Sequence, residues 1–117
     1  MIVQEFYDSI GGDYNDVKGR MLKDERILKY LRRFPEDKNY EELFVNLAEK
    51  NYEEAFRNVH TLKGLALNLG LAKLGAASSA LCEELRQGPP AIDITDMAEA
   101  VKTEYGNVMN CIGAIEG

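Results

Sequence analysis

Val59-His60-Thr61-Leu62-Lys63-Gly64-Leu65-Ala66-Leu67-Asn68-Leu69-Gly70 holds the only histidine among 117 residues, and a lysine and a glycine follow it one helical turn further along. Residues three and four apart are neighbours on a helix surface, so in a helix Lys63 and Gly64 both flank the His60 ring. At about 100° per residue, Tyr52, Ala55, Val59, Leu62, Ala66 and Leu69 gather on one side, while His60, Gly64 and Leu67 fall on the opposite flank. The histidine is therefore expected to point away from the apolar stripe. Glycine inside a helix costs about 0.5–1 kcal/mol relative to alanine, so Gly64 needs a reason, and close approach of another body beside the ring is the expected one.

Working outward, Asn51 followed by Glu54 matches a capping box with asparagine in place of serine or threonine, and it is expected to open this helix. The helix should run to about Leu69, with Gly70 as its stop signal, which places His60 near the middle of a rod roughly 28 Å long. On the far side, Leu74, Ala77, Leu81 and Leu85 mark a second helix, rich in small residues from Gly75 to Ala80 that permit close packing. Gly88-Pro89-Pro90 breaks the chain without being long enough to separate domains. Ile94, Ala98, Val101, Tyr105, Val108, Ile112 and Ile115 then alternate spacings of four and three, as a bundle seam does.

Before the motif, Val3, Phe6, Tyr7 and Ile10 predict a short opening helix ended by Gly11-Gly12. Asp13 can cap a second with Tyr14, Val17 and Met21, in which Gly19 weakens the later turns, and Asp24 a third with Ile27, Leu28, Leu31 and Phe34. Pro35 should stop or kink that third helix near Phe34. Tyr40, Leu43, Phe44 and Leu47 predict a fourth, with Glu41, Glu42, Asn46 and Glu49 facing outward. Without any alternating strand pattern, the expected fold is all-α: an antiparallel four-helix bundle from segments starting near Asp37, Asn51, Leu71 and Asp93, with short N-terminal helices over one end.

A length of 117 residues with 45% apolar content suits one domain, residues 1–117, with one core and no room for a kinase domain. A net charge of −6 argues against general nucleic-acid binding. No apolar run approaches the roughly 18 residues needed to span a bilayer, and the first positive side chain is Lys18, so a cytoplasmic protein with no membrane partner is expected. Cys82 and Cys111 read as reduced core thiols, and one histidine with two distant cysteines makes no zinc site.

The run His60-Thr-Leu-Lys63-Gly64-Leu-Ala-Leu67-Asn68-Leu-Gly70 strongly resembles the phospho-acceptor motif of histidine-containing phosphotransfer (HPt) domains, and the helical pattern extends the resemblance to most of the chain. The resemblance implies a phosphorelay intermediate of two-component signalling. Its partner would be a response-regulator receiver domain, a sensor histidine kinase, or both. The receiver's phosphorylated aspartate and bound Mg²⁺ would meet the His60 ring, with Nε2 as acceptor, the lysine matching Lys63 on the phosphoryl oxygens, and the glycine matching Gly64 admitting the receiver.

The residues themselves agree. Imidazole ordinarily titrates near 6.5, which leaves a neutral nucleophilic nitrogen at cellular pH. Phosphoryl transfer needs chiefly positioning and charge neutralisation, and Lys63 can supply a flexible point cation. With no nucleotide-binding loop, acidic cluster near His60 or second histidine, the chain is expected to be carrier and substrate, with no kinase activity and no cofactor of its own. Phe56 and Leu67 flank His60 on the outward side as a docking patch, Asn68 two turns on is a supporting contact, and among Arg32, Arg33 and Arg57 one or more can steer an acidic partner.

A free-standing protein is expected, since Met1 stands just before the first helix and Gly117 just after the last, and a monomer. One alternative is an adaptor that binds or sequesters a receiver without carrying phosphate, for which the ring would be superfluous. Another is a small enzyme with His60 as general base, but its i±3 and i±4 neighbours, Phe56, Arg57, Lys63 and Gly64, include no serine, cysteine or carboxylate.

Overall fold

Apolar stripes at helical spacing run through the whole chain, and each becomes the buried side of a helix. The computed structural model describes residues 1–115, so Gly117, expected just past the last helix, lies outside the described residues. The elements are α1 (Val3–Ile10), α2 (Tyr14–Met21), α3 (Asp24–Arg33), a 3-10 turn (Phe34–Glu36), α4 (Asn39–Ala48), α5 (Tyr52–Asn68), α6 (Ala72–Leu85) and α7 (Thr95–Gly113). Among the described residues there is no strand. Helices α4 to α7 form the expected antiparallel bundle, with α1 packed on α2, α3 and α7, and α2 on α3.

The core takes Phe6 and Tyr7 from α1, Val17 from α2, Ile27 and Leu31 from α3, and Leu43 from α4. From the later helices come Val59 and Leu62 on α5, Leu81 and Leu85 on α6, and Val101 and Val108 on α7. Burial of one such side chain stabilises by about 1.5–3 kcal/mol, which makes these stripes the main support of the fold. Both cysteines are free thiols, Cys82 buried and Cys111 half-buried.

Two expected caps are replaced by other contacts. Asp24 is the first residue of α3 and not its cap; its carboxylate accepts from Tyr14 Oη at 2.6 Å and Lys18 Nζ at 2.8 Å, and so ties α3 to α2. Those partners hold the carboxyl below its usual range, the Lys18 bond contributing most. Asn51 does occupy the cap position of α5 but makes no side-chain capping bond; its amide turns to Asn46 Oδ1 at 3.4 Å, while Glu54 pairs with Arg57 at 2.7 Å. An ion pair one turn along has displaced the second half of the box. Asp13, by contrast, caps α2 as expected, accepting from Asp16 N at 3.0 Å.

Pro35 ends α3 without unwinding the residue before it. Phe34 keeps helical angles, φ −52° and ψ −43°, and the chain tightens into the 3-10 turn. Phe34 is buried, with its ring 5.7 Å from that of Tyr105, so packing overrides the local preference against a helical residue before proline.

Between α4 and α7 the bundle closes through side chains. The Tyr40 ring stacks on Tyr105 with centroids 3.6 Å apart, and Lys102 Nζ lies 4.9 Å from the Phe44 ring. Along the expected seam of α7 only Val101 and Val108 are fully buried, and Ile94, Ala98, Tyr105, Ile112 and Ile115 are half-buried.

Candidate functional site

Helix α5 carries the motif, and its apolar residues Ala55, Val59, Leu62 and Ala66 are buried as the helical wheel predicts. The opposite flank is open: His60, Gly64, Leu67 and Asn68 are exposed, and Phe56 and Lys63 half-buried. His60 lies eight residues from either end of the helix, so the ring projects from a fixed rod and not from a fraying terminus.

Around the ring the α6 side is the more furnished. Phe56, one turn earlier, sets its ring 5.7 Å from the imidazole. Beyond it the Arg86 guanidinium lies 5.5 Å from the Phe56 centroid while forming an ion pair with Glu83 at 2.7 Å. That ion pair holds the Glu83 carboxyl below its usual range, with Lys63 adding a smaller pull in the same direction. Burial pushes the Cys82 thiol up, against the opposing charges of Lys63 and Arg86. The Lys63 charge thus acts on both Cys82 and Glu83 of α6. Among the described residues no ion pair engages Lys63.

The two glycines nearest the site differ. A methyl group built on Gly64 meets nothing within 4 Å, so no helix crossing inside the molecule accounts for the glycine there. A methyl group on Gly75 of α6 would lie 2.6 Å from Leu67 Cδ2. Leu67 therefore rests its inner edge on Gly75 and leaves 48% of its surface to solvent. The small residues of α6 do allow close approach, and Gly75 does so beneath Leu67.

Of the expected arginines, Arg57 is occupied by Glu53 at 3.1 Å and Glu54 at 2.7 Å. Arg33 lines a cleft of 330 Å³ with Tyr30, Leu65 and Asn68 at the C-terminal end of α5. Asn68 is thus set toward α3, two turns from His60 and away from the ring itself. Arg86 was not singled out by sequence reasoning, since its spacing from His60 is non-local and an arginine after a helix has many ordinary explanations.

The flank of α5 facing α4 holds a second feature missed by the apolar pattern. Asn58 is buried, accepts from Asn46 Nδ2 at 2.8 Å and donates to Asn39 Oδ1 at 3.1 Å and Glu42 Oε2 at 3.4 Å. A buried amide left unpaired is costly, so this network permits one register between α4 and α5. It fixes which way His60, two residues on, faces.

The C-terminal end of α5 is closed completely. Gly70, at φ 68°, forms the left-handed turn: its N–H donates to Leu67 O at 3.2 Å and Leu71 N–H to Ala66 O at 2.9 Å. The other carbonyls are taken from the N-terminal segment. Arg20 Nη2 donates to Leu67 O at 3.1 Å and Asn68 O at 2.7 Å, Tyr7 Oη to Leu69 O at 2.6 Å, and Asp13 N to Gly70 O at 2.9 Å. A cation at a helix C-terminus also meets the negative end of the helix dipole.

Residues 29–110 match the family model of the Hpt domain, well over half the chain, and the chain belongs to that family. No curated protein and no solved structure matches it significantly. The family assignment carries a histidine phosphotransfer role in two-component signalling, in which Hpt domains act as phosphocarriers that interact with receiver domains and histidine kinases. The match begins inside α3, so α1 and α2, which supply the clamp on α5, lie outside it. Among the described residues no helix is long and apolar enough to cross a membrane.

Proposed function

We propose that the protein is a phosphorelay intermediate that carries a phosphoryl group on His60 between receiver aspartates, or takes it from a histidine kinase. The observation that carries this reading is the exposed His60 ring at the middle of α5, beside an unobstructed Gly64 and a Lys63 that no ion pair engages among the described residues. A receiver brings an aspartyl phosphate and Mg²⁺; this chain supplies no cofactor. Nε2 attacks phosphorus in line, the P–N bond forms as the P–O bond to the aspartate breaks, and the electron pair leaves on the carboxylate. Nδ1 keeps its proton throughout. Lys63 neutralises the equatorial oxygens, and Arg86, held over Phe56, adds a second cation at the rim. Such a transfer depends on positioning more than on covalent chemistry by the protein, which suits a rigid helix with both flanks fixed.

Gly64 leaves room for the partner's backbone, Phe56 and Leu67 give it an apolar contact, and Asn68 supports its edge. The carrier works as a cytoplasmic monomer. The test is to mix the purified chain with phosphorylated receivers from the same cell and follow label. Acid-labile, alkali-stable label on native protein, absent from His60→Gln, is the expected result. A native protein that binds a receiver yet takes label from neither receiver nor kinase is instead an adaptor.

A further inference from the structure

Half of the chain's 14 lysines and arginines fall between Lys18 and Arg33, against two acidic residues, Asp24 and Glu25. That segment carries +5 in a chain of −6, which leaves the remainder at −11. Lys18 and Arg20 are spent on Asp24 and Asp16. Lys23, Arg26, Lys29 and Arg33 are all exposed, and among the described residues no ion pair engages any of them. Spaced three and four apart, they form one continuous row on the outer side of α3. The other bases that no ion pair engages among the described residues, Lys38, Lys50, Lys63 and Lys73, are scattered over four separate places in the chain.

Apart from Arg33, whose place in the last turn of α3 suits the helix dipole, nothing in the fold calls for this row. Like charges three and four apart repel, and Lys23 and Arg26 sit at the N-terminal end of α3, where the helix dipole disfavours cations. Within the row Tyr30 keeps 42% of its surface exposed, and Leu22 at its head keeps 68%. Leu22 is held at φ 69° and ψ −33° in a γ-turn, with Lys23 N donating to Met21 O at 2.8 Å, an uncommon and strained conformation for leucine. The Tyr14–Asp24–Lys18 cluster holds both sides of that turn. Arginine and tyrosine are enriched in protein interfaces, and strained backbone persists where the surroundings enforce it.

We propose that this basic face of α3 is an electrostatic docking surface for a carboxylate-rich face of the receiver that exchanges phosphoryl groups with His60. The inference rests on the phosphotransfer reading above. It is continuous with the His60 flank: Tyr30 and Arg33 share a cleft with Asn68, which lies eight residues along α5 from His60, about 12 Å. An interface burying about 800 Å² per partner is roughly 30 Å across, so a receiver centred on His60 reaches α3. A long polyanion is disfavoured, because the −11 surrounding the short row repels whatever extends beyond it.

The experiment measures single-turnover transfer from the receiver that labels native protein, over a range of salt, for native protein and the variant K23Q/R26Q/K29Q/R33Q. At low salt the variant should need about tenfold or more receiver for half-maximal rate, with the rate at saturation unchanged and its salt dependence flattened. Exchanging each base for the other, Lys for Arg and Arg for Lys, should retain most of the native behaviour. Phosphoramidate, a donor that needs no docking, should label His60 equally in all three. Unchanged half-saturation and salt dependence in K23Q/R26Q/K29Q/R33Q overturn the proposal. So does transfer that is unaffected while binding to phosphatidylglycerol vesicles or duplex DNA is lost, since the row then serves a polyanion. If neither a receiver nor a kinase labels native protein although phosphoramidate does, the underlying reading fails and takes this one with it; label from a kinase alone leaves that reading standing and overturns this one.

Discussion

The middle of α5 and its C-terminal end lie only two turns apart and are treated in opposite ways. At the middle, the outward side is left bare: an exposed imidazole, a glycine with empty space above it, and a lysine with no acidic partner among the described residues. At the end, the backbone carbonyls from Ala66 to Gly70 are all engaged, by the Gly70 turn, by Arg20, by Tyr7 and by Asp13. The difference separates two jobs along one helix. On the proposed reading, groups needed by a partner are withheld from internal contacts, while the groups that hold the rod still are satisfied to the last acceptor. An open site on a loose helix would lose the positioning on which phosphoryl transfer depends.

The largest effect should come from His60→Gln, which removes the acceptor nitrogen: label incorporation falls to background, while denaturant unfolding shifts by no more than about 0.5 kcal/mol because the ring is exposed. A large loss of stability would mean that the open middle is structural after all. Next, Gly64→Gln should slow transfer by about a hundredfold through displacement of the partner. The same substitution should raise helix stability by up to about 1 kcal/mol, since glycine is a poor helix former. Transfer at the native rate in a stabilised variant would end the close-approach argument.

On the closed side the order reverses. Asn58→Ala should cost about 1–3 kcal/mol in urea unfolding by leaving Asn46, Asn39 and Glu42 without their buried partner. Transfer by the fraction that remains folded should fall only if the network sets the orientation of His60. Tyr7→Phe is the mildest, about 1 kcal/mol, from loss of the bond to Leu69 O. It also has a pH signature, because burial raises the Tyr7 phenol well above its usual range, with Arg20 opposing. A raised folded value means that its stabilisation is whole below the ordinary phenol value of about 10 and is lost as pH climbs beyond it. Unfolding followed from neutral to alkaline pH should therefore weaken more steeply in native protein than in Tyr7→Phe; parallel curves would show that the phenol plays no part.

Much of this was legible along the chain. The buried stripe of α5, the outward turn of His60, the Gly70 stop and the bundle of α4 to α7 follow from periodicity and turn chemistry, which are local properties. The expected caps at Asp24 and Asn51 failed for a common reason: each side chain had a better partner from outside its own first turn, Lys18 and Tyr14 for one and Asn46 for the other. Asn58 has no place in the apolar pattern of α5, and only the approach of α4 shows that it is a buried hub. Arg86 and Phe56 come together across α5 and α6, and Gly75 underlies Leu67, through crossings that no spacing rule within one helix contains. Nor could composition show which bases are already spent, and that is what sets the α3 row apart.

The sequence by itself determined the helices, the side of α5 that is buried and the residue that faces out with a lysine and a glycine beside it, because 3.6-residue periodicity is written into neighbouring positions. Only the tertiary structure decided that Gly64 has open space, that no ion pair engages Lys63 among the described residues, that Asn58 locks the register, and that residues before the family match clamp the end of the rod. Those are properties of pairs far apart in the chain, and they exist only once the helices have packed.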